Sequence, residues 1–229
     1  MSDAEVGYAA RAGDRLVAFA DAVVAIAITL LAIDLPVPSG GTLSAFWHSF
    51  QHYDLRYLAF LVSFLTIASA WAQHHDVFRY ARGTDQRMRT LHLTWLMMIV
   101  ILPFATRLLT VTGPTDRPVH AVEWGFYSLL QVLTSLLLVL MVRHLIAHGQ
   151  LEPDTPPSVV NHQIRQSYGT MLGFGLSIPV FFATGNAWVL WIVAPILFAR
   201  IRRIVARRQH RPDAAGPDAT GPGAPGDGH

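Results

Sequence analysis

Six stretches of the chain, at about 15–36, 54–74, 88–111, 122–146, 166–184 and 187–206, are mostly apolar over roughly the 20 residues a helix needs to cross a bilayer. No other feature constrains the fold as much. A backbone in hydrocarbon has no water to bond, so its donors and acceptors must pair within a helix or around a closed barrel. Long apolar runs without strict alternation select helices. The expected fold class is therefore an all-α membrane protein with six transmembrane helices. Charged residues make up 14% of the chain, against about 25% in an average soluble domain, which agrees.

The first run reads RLVAFADAVVAIAITLLAIDLPVP (15–38). It follows a polar leader and lacks a small-residue cleavage site, so it reads as a retained helix rather than a signal peptide. Pro36 and Pro38 should stop it, because proline offers no backbone donor. The chain holds 17 basic residues, all of them arginine. If both termini share a face, that face receives 14 arginines, and the other receives only Arg56, Arg107 and Arg117. By the positive-inside rule both termini are cytoplasmic. The arginines between 200 and 211 then read as a topology signal and an anionic-lipid contact, not as a nucleic-acid patch. From about Gln209 the chain is Pro, Gly, Ala and Asp without a large apolar residue. That composition predicts a disordered cytoplasmic tail over 209–229, behind one membrane domain over 1–208.

Several chemistries are excluded at this stage. There is no cysteine and no lysine, and no G-x-S-x-G, H-E-x-x-H or phosphate-loop motif. No enzyme is expected, and no cofactor. A metal site is not expected either, because His74 and His75 are consecutive and diverge by about 100° on a helix.

Within the first helix, Leu30 and Ile33 fall within about 40° of Ile26, with Thr29 about 60° to the side. Asp21 lies about 140° from Ile26, among Ala25, Ile28 and Ala32, a small-residue face that invites a neighbouring helix. A carboxylate at the bilayer centre costs roughly 2.5–3.5 kcal/mol, so a partner is expected for Asp21. Arg15 and His74 or His75 are the candidates, at the same cytoplasmic depth. Trp71, His74 and Phe78 share one face of the second helix. Asp34 and Glu123 belong to the outer ends of helices, where a cation-attracting vestibule or simple solvation explains them equally well, and Asp34 has the better claim to a vestibule.

Taken together these residues resemble a known family. Arg15-x-x-x-Phe19-Ala20-Asp21, running into AVVAIAITLLAIDL, is similar to the first-helix signature of the endosomal and lysosomal potassium channels called the transmembrane protein 175 family. That signature has Phe-Ser-Asp where this chain has Phe19-Ala20-Asp21. The second-helix Trp71-x-x-His74-His75-x-x-Phe78 looks like the family's Trp/His/Phe motif, and LPF at 102–104 resembles its third helix. The resemblance covers roughly residues 11–110. It implies a potassium-permeable cation channel without a filter loop, built from one six-helix repeat per chain as in bacterial members, assembled as a homotetramer in the inner (plasma) membrane. It further implies that the first helix lines a central pore, with Ile26 as the narrowest ring and Thr29, Leu30 and Ile33 along the same lining. Arg15, Phe19, Asp21, Trp71, His74 and His75 would form the polar network supporting that helix, without the hydroxyl that Ala20 lacks.

An apolar ring that excludes liquid water is a dewetting barrier, and it offers no oxygen to replace an ion's hydration. Modest preference for potassium over sodium is therefore expected. The alternative from another class is a proton-coupled secondary transporter using Asp21 with His74 and His75. Glycine-rich GTMLGFGLSIP with Pro179, and Pro195 beyond it, would then mark broken helices at a substrate site.

Overall fold

A computed structural model of the chain describes residues 3–111 and 117–184. Six helices make up this part: α1 (Asp3–Ile33), α2 (Leu43–His52), α3 (Asp54–Phe78), α4 (Gln86–Val111), α5 (Arg117–Ala147) and α6 (Pro157–Thr184). Four segments are long and apolar enough to cross a membrane, namely Arg15–Ile33, Asp54–Phe78, Gln86–Thr110 and Pro118–Ala147. α6 contains the fifth expected span but begins nine residues before it, with Asn161, His162, Gln163, Arg165 and Gln166 in its first turns. The sixth expected span, 187–206, and the tail over 209–229 lie outside the described residues.

α2 is an element the apolar-run reading missed, because ten residues cannot cross a bilayer. Thr42 caps it, its hydroxyl accepting from the Ala45 N–H at 3.2 Å. Leu43, Phe46, Trp47 and Phe50 follow at helical spacing and are all exposed, so the helix is amphipathic and buries nothing within the subunit. Gly40 makes the turn before it: at φ +154° a Cβ there would meet the Phe46 backbone nitrogen at 2.5 Å.

α5 packs along α6 on one side and α4 on the other, and α1 lies against α4 and α3. The core between them is apolar at its centre, with Ile67, Trp95, Ile99, Leu102, Met141, Leu145 and Phe174 buried. α3 adds a polar stripe to it. Ser63, Thr66, Ser69 and Gln73 recur every three or four residues and bond outward to α4, α5 and α6. Thr106 of α4 donates to Ser63 at 2.7 Å. Tyr127 of α5 lies 2.9 Å from the Ser63 hydroxyl, and Gln131 donates to Thr66 at 2.9 Å. From α6, Gln166 donates to Ser69 at 3.1 Å and Ser167 donates to Gln73 at 3.2 Å. In lipid such bonds contribute about 0.6–2 kcal/mol each, and they fix which face of α3 turns inward.

At the arginine-rich end the α3–α4 and α5–α6 loops are laced together. The Arg82 N–H donates to the Gln150 carbonyl and the Glu152 N–H to that of Tyr80, both at 2.8 Å, and the Arg82 guanidinium pairs with Glu152. Asp85 ties α4 to α5. Its carboxylate accepts from the Met88 N–H at 2.7 Å, as an N-cap does, and lies 2.7 Å from His144 Nε2. The Met88 N–H holds the Asp85 carboxyl below its ordinary range, His144 and Gln150 add to this, and burial opposes it. A depressed carboxyl stabilises the fold above its unfolded pKa of about 3.9 and loses that contribution as pH falls through the folded value. Asp85→Ala should therefore cost about 1 kcal/mol near neutrality and flatten the loss of stability below about pH 4. Thermal unfolding of both proteins across pH measures this. Parallel curves down to about pH 3 would remove Asp85 from the account.

Candidate functional site

α1 divides into two faces. Ala20, Val24, Ala27 and Leu31, spaced four, three and four residues apart, are buried against α3 and α4. Ile26, Leu30 and Ile33 remain 59%, 42% and 75% exposed, with Thr29 beside them. These large apolar side chains are left uncovered by the rest of the bundle, so lipid or another copy of the chain must cover them. The Thr29 hydroxyl donates to the Ile26 carbonyl at 2.8 Å. Its proton is thereby turned into the helix, and the Oγ1 lone pairs are left able to accept.

The small-residue contact face differs from the one expected. Ala25 and Ala32 are exposed, and the alanines that admit close helix approach are Ala20 and Ala27. The contact follows the row 20–24–27–31, one position away from Asp21, so the carboxylate stands at the edge of the interface and is half-buried. Ala20, where the family signature has serine, is fully buried.

Asp21 does have a partner on α3, and it is Trp71. The indole Nε1 donates to Asp21 Oδ1 at 2.8 Å. Arg15 makes no ion pair with Asp21 among the described residues, and His74 does not bond it. Trp71 and His74 sit at similar depth but about 60° apart on α3, and that angle decides between them. Trp71 points to α1. His74 points into the bundle, where its ring stacks on Trp95 and Phe78 with centroids 4.7 and 4.2 Å away and meets His92 edge-on at 4.7 Å. His75 turns the other way, exposed, its ring 5.5 Å from Trp71. The two histidines thus diverge as expected, and no group of three ligating side chains forms a metal site among the described residues.

His92 and Trp95 were missed by sequence reasoning, although their i, i+3 spacing on α4 puts them on one face. Both are fully buried. No hydrogen-bond partner reaches either ring nitrogen of His74 or His92, or Trp95 Nε1. These rings serve as packed plates behind α1, with Phe78 closing the stack.

Asp34 ends the helix in an ion pair: Arg107 Nη1 lies 3.3 Å from its carboxylate. This exposed pair offsets part of the charge that Asp34 would offer a vestibule. Glu123 is buried, not at a mouth, with His120 Nδ1 3.1 Å away. α6 runs unbroken through Pro179. The interrupted helix that a carrier site would use is absent from α6, and Pro195 lies outside the described residues.

An all-helical bundle with several helices long and apolar enough to cross a bilayer defines a multi-pass membrane protein. Known proteins narrow this. Residues 15–103 match the family described as endosomal/lysosomal potassium channel TMEM175. A potassium channel of Streptomyces collinus is 35% identical over 172 residues, which span 74% of this chain and 82% of the relative. The endosomal/lysosomal proton channel TMEM175 of Gallus gallus is 34% identical over 103 residues, 42% of this chain and 21% of that one. In fold, the crystal structure of a lysosomal potassium-selective channel TMEM175 homolog from Chamaesiphon minutus superposes with a TM-score of 0.66 at 24% identity, covering 82% of this chain and 97% of that one. The chain belongs to the TMEM175 family, a family of ion channels and not of enzymes.

Proposed function

We propose that the protein is a potassium-permeable cation channel whose pore is formed by α1 from four copies of the chain, in the inner (plasma) membrane of a bacterium. One observation carries the reading: Ile26, Leu30 and Ile33 stand exposed on the face of α1 that turns away from its own bundle. Four such helices around an axis bury that face and present three apolar rings. The Ile26 ring is the constriction, narrow enough to exclude liquid water, so it limits every ion's passage. Thr29 hydroxyls supply the oxygen ligands nearest to it. Potassium loses its water more readily than sodium, which gives a modest preference without an oxygen cage.

The bundle behind α1 acts as its frame. Trp71 fixes the cytoplasmic half of α1 through Asp21, and Arg107 fixes the outer end through Asp34. Both termini lie in the cytoplasm under this reading, so Asp34 and Arg107 face the outside. Arg107→Gln should unmask the ring of Asp34 carboxylates and raise inward potassium current most at low salt, because the Debye length is about 30 Å at 0.01 M and about 10 Å at 0.1 M. A current equally changed at both salt concentrations would show that Asp34 is remote from the ion path.

Potassium and sodium flux into liposomes containing the purified protein tests the function itself. Potassium flux above that of empty liposomes, exceeding sodium flux, is expected. Absence of potassium flux from correctly assembled protein would overturn the reading.

A further inference from the structure

At the arginine-poor end of the bundle, α1, α3 and α4 border a shallow surface groove that is open to solvent. Leu31, Leu35, Phe60 and Pro103 line it beside Thr106 and Thr110, and its rim carries Asp34, Arg56 and Arg107. Arg107 spends one side of its guanidinium on Asp34. The Arg56 guanidinium spends nothing: among the described residues it makes no hydrogen bond or ion pair and only lies 5.3 Å over the Tyr53 ring. Asp54 does not compensate it. Two residues earlier on α3, Asp54 projects about 200° away and accepts from the Leu55 N–H of its own helix. The rim therefore holds one more positive charge than negative, with guanidinium donors to spare.

The level of this groove is marked by aromatics. Trp47 and Phe50 of α2 stack at 5.4 Å, Phe50 stacks on Tyr57 at 4.7 Å, and the Tyr57 hydroxyl donates to the Pro36 carbonyl at 2.8 Å. Tryptophan and tyrosine concentrate at the headgroup level of a bilayer, and the amphipathic face of α2 fits the same depth. Arg56 is flanked by Tyr53 and Tyr57, so its charge sits where lipid phosphates lie.

We infer that this groove is a binding site for the phosphodiester headgroup of an outer-leaflet phospholipid, held by Arg56 and Arg107, with the first part of an acyl chain on Leu31, Phe60 and Pro103. Guanidinium groups match phosphate geometry with paired N–H donors, and one net positive charge suits one phosphodiester. Bound there, the lipid would bridge the outer ends of α1, α3 and α4. The site requires that the bundle span a membrane and does not depend on which helix lines the pore.

Native mass spectrometry of the detergent-purified protein tests it, with phosphatidylglycerol, dioleoylglycerol and inorganic phosphate as separate probes. Wild type should retain phosphatidylglycerol and not the phosphate-free dioleoylglycerol. Arg56→Gln removes no bond within the bundle, so it leaves the fold intact; retention should fall about tenfold in it and further in the double variant with Arg107→Gln. Asp34→Asn removes the competing carboxylate and should retain the lipid at least as well as wild type. Equal retention by wild type and Arg56→Gln overturns the site, as does equal retention of dioleoylglycerol. Binding of inorganic phosphate without phosphatidylglycerol would make it a free-anion site and overturn the lipid assignment.

Discussion

Replacing Ile26 with Asn raises potassium flux about tenfold and brings the potassium-to-sodium ratio close to one. The reasoning is local. In the proposed tetramer the ring of Ile26 side chains is the narrowest apolar step, and an ion crossing it must shed water with nothing to replace it. Asparagine has nearly the same reach but brings one acceptor and two donors per copy. If the four amides together offset about 1.4 kcal/mol of dehydration, the crossing rate rises tenfold. The same wetting erodes selectivity, since a hydrated ring no longer discriminates by dehydration cost. Leu30→Asn, one turn further along, should act in the same direction but less. Flux assays in liposomes with potassium or sodium as the sole cation measure both effects, and an Ile26→Asn protein with wild-type flux would take Ile26 out of the ion path.

The second large effect belongs to Trp71. Trp71→Phe keeps the aromatic plate and removes the only bonded partner that the described residues give Asp21. A hydrogen bond to a charged group contributes about 1.5–3 kcal/mol, and the carboxylate left behind lies in a candidate membrane span, where an unpaired charge is costly. A loss of about 2 kcal/mol should lower the thermal midpoint by about 4–8 °C for a chain of this size. Asp21→Asn keeps an acceptor for the indole and loses the charge, so it should cost less. The ranking carries the test: if Asp21→Asn is more damaging than Trp71→Phe, the carboxylate is held by something other than Trp71. Thermal unfolding followed by size-exclusion retention reads this without relying on tryptophan fluorescence.

How far the sequence alone reaches can be judged from these same residues. The stripe of Ile26, Leu30 and Ile33 was legible because a straight helix obeys 100° per residue whatever surrounds it, and the exposed face found in the structure is that stripe. The partner of Asp21 was not legible. Trp71, His74 and His75 all lie at a suitable depth, and the choice among them depends on which side of α3 meets α1. That side is set by the Ser63, Thr66, Ser69 and Gln73 stripe bonding to α4, α5 and α6, and by Trp95 and His92 packing on the His74 ring. A search for apolar runs treats such hydroxyls and amides as interruptions. The same search overlooks α2, although Thr42 with Leu43, Phe46, Trp47 and Phe50 is a readable cap and amphipathic pattern. The Asp34–Arg107 pair joins residues 73 positions apart, which no local pattern specifies.

The natural absence of cysteine makes the central claim directly testable, because single cysteines can be placed at will. Cysteines at Ile26, Leu30 and Ile33 probe the proposed lining, and cysteines at Val24 and Ala27 probe the buried face. Silver ions, which are monovalent and react with thiols, are added during potassium flux in liposomes. The account predicts block at Ile26→Cys, Leu30→Cys and Ile33→Cys and undiminished flux at Val24→Cys and Ala27→Cys. Block at the buried positions, or none at the three exposed ones, would contradict a pore lined by α1.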